Sequence, residues 1–151
     1  MEEIRKSNHK NYLPSYPFST EEIIEKYILL NPKNSFKLFA GKIEKDAKKD
    51  WERGRKFLEK QGLKAAENCK RISEIFMDVK GEEDSQLIEE IINMDYQSVV
   101  DFFQLLKSYF QENEEVYQNL SSIVKSFQEM RKVSEKHTNI INKELIQTLN
   151  S

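Results

Sequence analysis

The sequence predicts an all-α fold, a long antiparallel, coiled-coil-like helical hairpin with short flanking helices. Three observations lead there. Glycine and proline together supply only seven of 151 residues, so punctuation is sparse and elements are long. Apolar residues recur at intervals of three and four over two extended stretches, and no strand-like alternation competes with them. The aromatic content, 11%, gives those faces enough apolar bulk to form a core despite 33% charged residues.

The elements follow in order. All three prolines, Pro14, Pro17 and Pro32, lie near the start, and proline disfavours helix interior. Residues 1–18 therefore read as an arm, and 19–151 as a single helical domain. Ser19-Thr20-Glu21-Glu22 has the form of a capping box ahead of Ile23, Ile24, Tyr27 and Ile28. This predicts a short helix over 20–30, stopped at Asn31-Pro32.

From Phe36 to Val79 a stripe runs through Ala40, Ile43, Ala47, Trp51, Gly54, Leu58, Gly62, Ala65, Cys69, Ile72 and Phe76. Its mean spacing is about 3.6 residues, the period of a straight α-helix. The phase survives both glycines, which predicts one helix over 35–79, roughly 68 Å long at 1.5 Å per residue. Gly62 is where a kink or break would fall if the helix were interrupted. The small members Ala40, Ala47, Gly54, Gly62 and Ala65 read as a packing seam, since alternating small and large residues let a second helix approach closely. Lys80-Gly81 then offers a stop, and Leu87, Ile88, Ile91 and Ile92 suit a short helix over 86–93.

Asp95 can cap the final element. Val99, Phe103, Leu106, Phe110, Asn113, Tyr117, Leu120, Val124 and Phe127 step by four and three, the coiled-coil repeat. A second row, Phe102, Tyr109, Val116, Ile123, Met130, Val133, His137 and Ile140, widens the face. One helix over 96–148 is predicted. Its broad face, with Phe102, Phe103, Leu106, Tyr109 and Phe110, points to an apolar surface or another copy, a homo-oligomer. Cover by the short helices within one monomer is the competing outcome.

Chemistry finds little support. His9 and His137 are the only histidines and Cys69 the only cysteine, so no internal disulfide can form and no second thiol exists for a metal pair; no H-E-x-x-H motif or Cys/His cluster appears. Glu89 and Glu90 are adjacent and diverge on a helix, and Glu112, Glu114 and Glu115 read as solvent face. Cys69 reads as a small buried hydrophobe. No catalytic, cofactor-binding or metal residue is assigned, and no cofactor is expected. No apolar run is long enough to cross a membrane, and the N-terminus lacks the apolar region of a secretory signal, so a cytoplasmic location is expected. Net charge is −2, but it is uneven. Residues 42–71 hold eleven Lys/Arg against six Asp/Glu, and residues 82–115 one Lys against ten acids. A solvated helix face explains most such runs.

The segment 97-QSVVDFFQLLKSYFQENEEVYQNLSSIVKSFQEMRKVSEK-136 resembles the second long helix of phasins, the helical proteins that coat polyhydroxyalkanoate granules in bacteria. A Val-Val-Asp-Phe entry leads to Gln and a Tyr-Phe region, then to repeating aromatic and aliphatic positions; the resemblance spans about residues 35–145. The chain departs from the family in being richer in Lys and Glu, poorer in Ala, and in carrying the Pro/Tyr arm. The resemblance implies a non-catalytic structural protein that coats a hydrophobic granule surface and self-associates, with Phe102, Phe103, Leu106, Tyr109 and Phe110 as contacts.

Two other readings stay open. One is a helical protein-interaction adaptor that docks a partner helix. The other is a small subunit of a larger, ribonucleoprotein assembly using Lys42, Lys45, Lys48, Lys49, Arg53, Arg55, Lys56 and Lys60. Net acidity disfavours nucleic acid, as does the interleaving of only Trp51 and Phe57 among those basic residues.

Overall fold

At residues 53–55 the chain reverses direction, and Gly54 makes the reversal possible. Its φ of +75° lies in the left-handed region that glycine enters without Cβ strain. The Gly54 N–H donates to the Trp51 carbonyl at 3.0 Å and the Arg55 N–H to the Asp50 carbonyl at 2.8 Å. That pair of bonds is the Schellman motif, which satisfies carbonyls a helix end would otherwise leave open. The expected 35–79 helix is therefore two helices. The break falls at Gly54, while Gly62 lies within an uninterrupted helix.

The structure, a computed structural model, describes residues 18–77 and 85–150. The expected arm, apart from Phe18, lies outside the described residues, as do the stop at Lys80-Gly81 and the last stripe position, Val79. The described helices are α1 (Thr20–Ile23, continued by a π-helical turn, Ile24–Ile28), α2 (Pro32–Glu52), α3 (Lys56–Ile75), α4 (Ser85–Ile92), α5 (Tyr96–Ser108) and α6 (Glu114–Asn150). No strand occurs among them, and the fold is all-α.

The capping box forms as predicted. Ser19 Oγ accepts from the Glu22 N–H at 3.3 Å, and the Ser19 N–H donates back to Glu22 Oε1 at 3.4 Å. Pro32 occupies the first turn of α2, where its missing N–H costs nothing. That helix thus starts three residues earlier than the stripe suggests. Asp95 Oδ1 accepts from the Ser98 N–H at 2.8 Å and caps α5.

The expected 96–148 helix is also broken. After Ser108 the backbone tightens into turns and restarts at Glu114. Asn113, read above as a member of the heptad row, instead caps α6. Its Oδ1 accepts from the Val116 N–H at 3.2 Å, and its carbonyl from the Tyr117 N–H at 2.8 Å. Glu114 and Glu115 then sit in the first turn, where carboxylates favour the helix dipole.

Antiparallel α2 and α3 pack on each other, α3 packs on α6, and α6 on α5. Phe39 of α2 closes the circuit against Phe102 and Phe103 of α5, with ring centroids 6.0 and 5.2 Å away. The open end of the α2–α3 hairpin is tied by Lys33, whose Nζ donates to the carbonyls of Ser73 (3.1 Å) and Phe76 (3.2 Å). A cation there meets the negative end of the α3 dipole. Further along, Lys70 Nζ pairs with Glu44 Oε2 at 3.0 Å, holding the Glu44 carboxyl below its ordinary range. The helix α4 packs on α2.

Candidate functional site

The seam residues divide between two roles. Ala40, Ala47, Gly62 and Ala65 are buried, and they allow close approach between α2 and α3. A methyl group placed on Gly62 would lie 3.0 Å from Ala47 Cβ. The helix that Gly62 approaches is therefore the other half of the same stripe, folded back. Gly54 is not part of the seam. Nothing lies within 4 Å of a Cβ built on it, and its role is conformational.

The expected contact surface is the interior of the monomer. Phe102, Phe103 and Leu106 are fully buried, and Tyr109 and Phe110 are partly buried against the core. Phe103 is the hub: it stacks on Phe127 at 5.8 Å and meets Phe102 edge-on at 5.5 Å. Phe110 packs edge-on against Phe36 and Phe76 at 6.4 and 5.9 Å. Tyr109 donates its hydroxyl to Glu25 Oε1 at 3.2 Å. The wide face is covered within the monomer because the breaks at 53–55 and 109–113 fold four helices around it.

What remains exposed lies elsewhere. A helix of 37 residues is about 55 Å long, whereas the 20 residues of α3 span about 30 Å. The helix α6 therefore outruns its partners. Its buried positions end at Met130, and every residue from 135 to 150 is exposed, including Ile140, Ile141, Leu145, Ile146 and Leu149. His137 is exposed on the same stretch. This patch was readable only in part, since the second apolar row ends at Ile140 whereas the exposed face continues to Leu149.

A second exposed region borders α3 and α6. Trp51, Phe57 and Leu63 are 61%, 42% and 43% exposed. With Lys60, Lys64 and Lys125 they line a surface groove of about 1070 Å³.

A third concavity, of about 630 Å³, lies between the end of α2, the α4–α5 junction and α6. Ala47, Gly62 and Phe127 line it beside Asp50, Tyr96 and Arg131. Burial pushes the Asp50 carboxyl up, against the pull of Arg55. Burial likewise raises the Tyr96 phenol, with the Asp50 charge adding to it. Arg131 Nη1 donates to Gln97 Oε1 across its edge.

Among the described residues, groups suited to metal chemistry do not converge. Cys69 is fully buried in the core and its thiol is pushed far up by that burial, which removes the thiolate a nucleophile needs. No group of three or more His, Cys, Asp or Glu side chains suited to a metal ion occurs among the described residues. No helix among them is long and apolar enough to cross a membrane. No family model matches the chain, and no curated protein or solved structure matches it significantly.

Proposed function

We propose that this chain is a non-catalytic structural protein that binds a hydrophobic surface through the projecting end of α6. The observation that carries the reading is the run of Ile140, Ile141, Leu145, Ile146 and Leu149, all exposed on a helix that has passed beyond its neighbours. Lys136 and Lys143 lie on the same stretch, beside Glu135 and Glu144. Apolar side chains flanked by cations suit a helix lying at an apolar–aqueous boundary. Fully burying a fully exposed side chain of this kind contributes about 1.5–3 kcal/mol, and the five together set that gain against the cost of association. A storage granule of the phasin type is such a surface, and it fits the resemblance of 97–136. The contacts move, however, from the aromatic cluster to the end of α6. Self-association would use the same end, because the row from Val99 to Phe127 is taken up by the monomer core.

The test is co-sedimentation of the purified chain with artificial polyhydroxybutyrate granules. The wild type should pellet with the granules, and the triple variant Ile141→Ser/Leu145→Ser/Leu149→Ser should stay in solution with an unchanged melting temperature. A wild-type chain that remains in the supernatant refutes the reading.

A further inference from the structure

The groove between α3 and α6 shares no residue with the projecting end of α6, and its chemistry is different. Its apolar part is Trp51, Phe57 and Leu63, all large and all substantially exposed. Tryptophan at 61% exposure is the residue type most often found to dominate binding energy at protein interfaces. Its charged part is not self-compensated. Glu67 is paired with Arg71 at 3.7 Å and Glu129 with Lys132 at 3.6 Å, so two of the groove's carboxylates are engaged. Lys56, Lys60, Lys64 and Lys125 make no ion pair among the described residues, and all four are exposed. Lys56, Lys60 and Lys64 recur every fourth residue on α3, which spaces them about 6 Å apart along the helix axis.

We propose that this groove docks an acidic amphipathic helix of a partner protein. Carboxylates four residues apart on a helix repeat at the same interval of about 6 Å, so one edge of the partner meets the lysine row. Its apolar stripe, at i, i+3, i+4 and i+7, covers Trp51 and Phe57 on one flank of that row, Leu63 lying on the other flank at 100° per residue. A single-stranded nucleic acid fits less well. Among the residues that line the groove only Trp51 and Phe57 offer a stacking face.

Trp51 is the only tryptophan in the chain, so its emission reports on the groove directly. The probes are a helical peptide of about 18 residues with Leu at i, i+3, i+4 and i+7 and Glu along one flank, the same composition with the stripe scrambled, and a uridine oligonucleotide. The striped peptide is expected to shift Trp51 emission to the blue and to saturate. The exposed-site variant Lys60→Glu/Lys64→Glu, with its circular dichroism unchanged, should weaken that binding about tenfold or more. Equal binding of striped and scrambled peptides, tighter binding of the oligonucleotide, or no response to any probe overturns the proposal. So does a blue shift that appears on concentrating the protein alone, which would make a second copy the occupant. Granule binding should be unaffected by the Lys60/Lys64 variant, so failure here and failure of the α6 reading are separable.

Discussion

Adding one methyl group to Gly62 tests whether α2 and α3 are as close as the geometry implies. The new Cβ would stand 3.0 Å from Ala47 Cβ, whereas carbon atoms rest comfortably at about 3.5–4.0 Å. The helices must move apart by several tenths of an ångström along a buried seam. Overpacking of this sort costs about 1–3 kcal/mol, while replacing a mid-helix glycine by alanine returns about 1 kcal/mol of helix propensity. Gly62→Ala should therefore destabilise by about 0–2 kcal/mol, although propensity alone favours it.

The reciprocal change sharpens the test. Ala47→Gly costs about 1 kcal/mol in propensity. In the double variant Gly62→Ala/Ala47→Gly, the methyl added at position 62 faces a bare residue 47, whose Cα is 3.7 Å away, an ordinary contact. One methyl has moved across the seam, and the contact still pairs one glycine with one alanine. The double variant should match the wild type within about 0.5 kcal/mol, giving a favourable coupling of about 1–3 kcal/mol. Urea titrations of the four proteins provide the cycle. If Gly62→Ala stabilises by about 1 kcal/mol and the two changes simply add, the helices are not in contact there and the reasoning fails.

Other expectations can be checked alongside. Gly54→Ala should destabilise by about 1–2 kcal/mol with no steric contribution, because the cost is the left-handed backbone; Gly54→Asn should lose less, and equal stability of all three would refute the Schellman turn. Phe103→Ala should cost about 3–5 kcal/mol in urea unfolding, whereas Ile141→Ala on the projecting part of α6 should stay within about 0.5 kcal/mol. Asp50→Asn should raise stability at neutral pH. The folded-state carboxyl is shifted up by burial, so the native state holds its proton more tightly and stability increases as pH falls through the folded-state pKa. The variant should lose that increase, and identical pH profiles for the two proteins would count against the burial of Asp50. Cys69 should resist a thiol reagent in the native protein and react at once in denaturant; rapid native labelling would contradict its place in the core.

Helix identity was legible because it is local. Ser19 and Glu22 needed no distant partner to make their capping box, and Asp95 needed only the N–H of Ser98. The apolar stripe correctly marked Ala40, Ala47, Gly62, Ala65 and Cys69 as inward-facing, since a 3.6 period states which side is apolar. Periodicity is blind to direction, however. A three-residue turn can preserve the phase while reversing the chain, so the reversal at residues 53–55 leaves no mark on the stripe. The cue was Gly54, followed by Arg55 at the position whose N–H closes the motif. At 109–113 the cue was Asn113 followed by two glutamates, an N-terminal signal that the heptad count overrode.

By itself the sequence determined that the chain is helical, which face of each helix is apolar, and that Gly and Ala would line a close contact. Only the tertiary structure decided where those faces go. Two turns bring Phe39, Phe103 and Phe127 together from three different helices, so the widest apolar face becomes core. The same folding leaves Trp51, Phe57 and the end of α6 outside. Whether an apolar side chain is interior or surface depends on how far its neighbours extend in space, and α3 stops short of α6 by roughly 25 Å of helix.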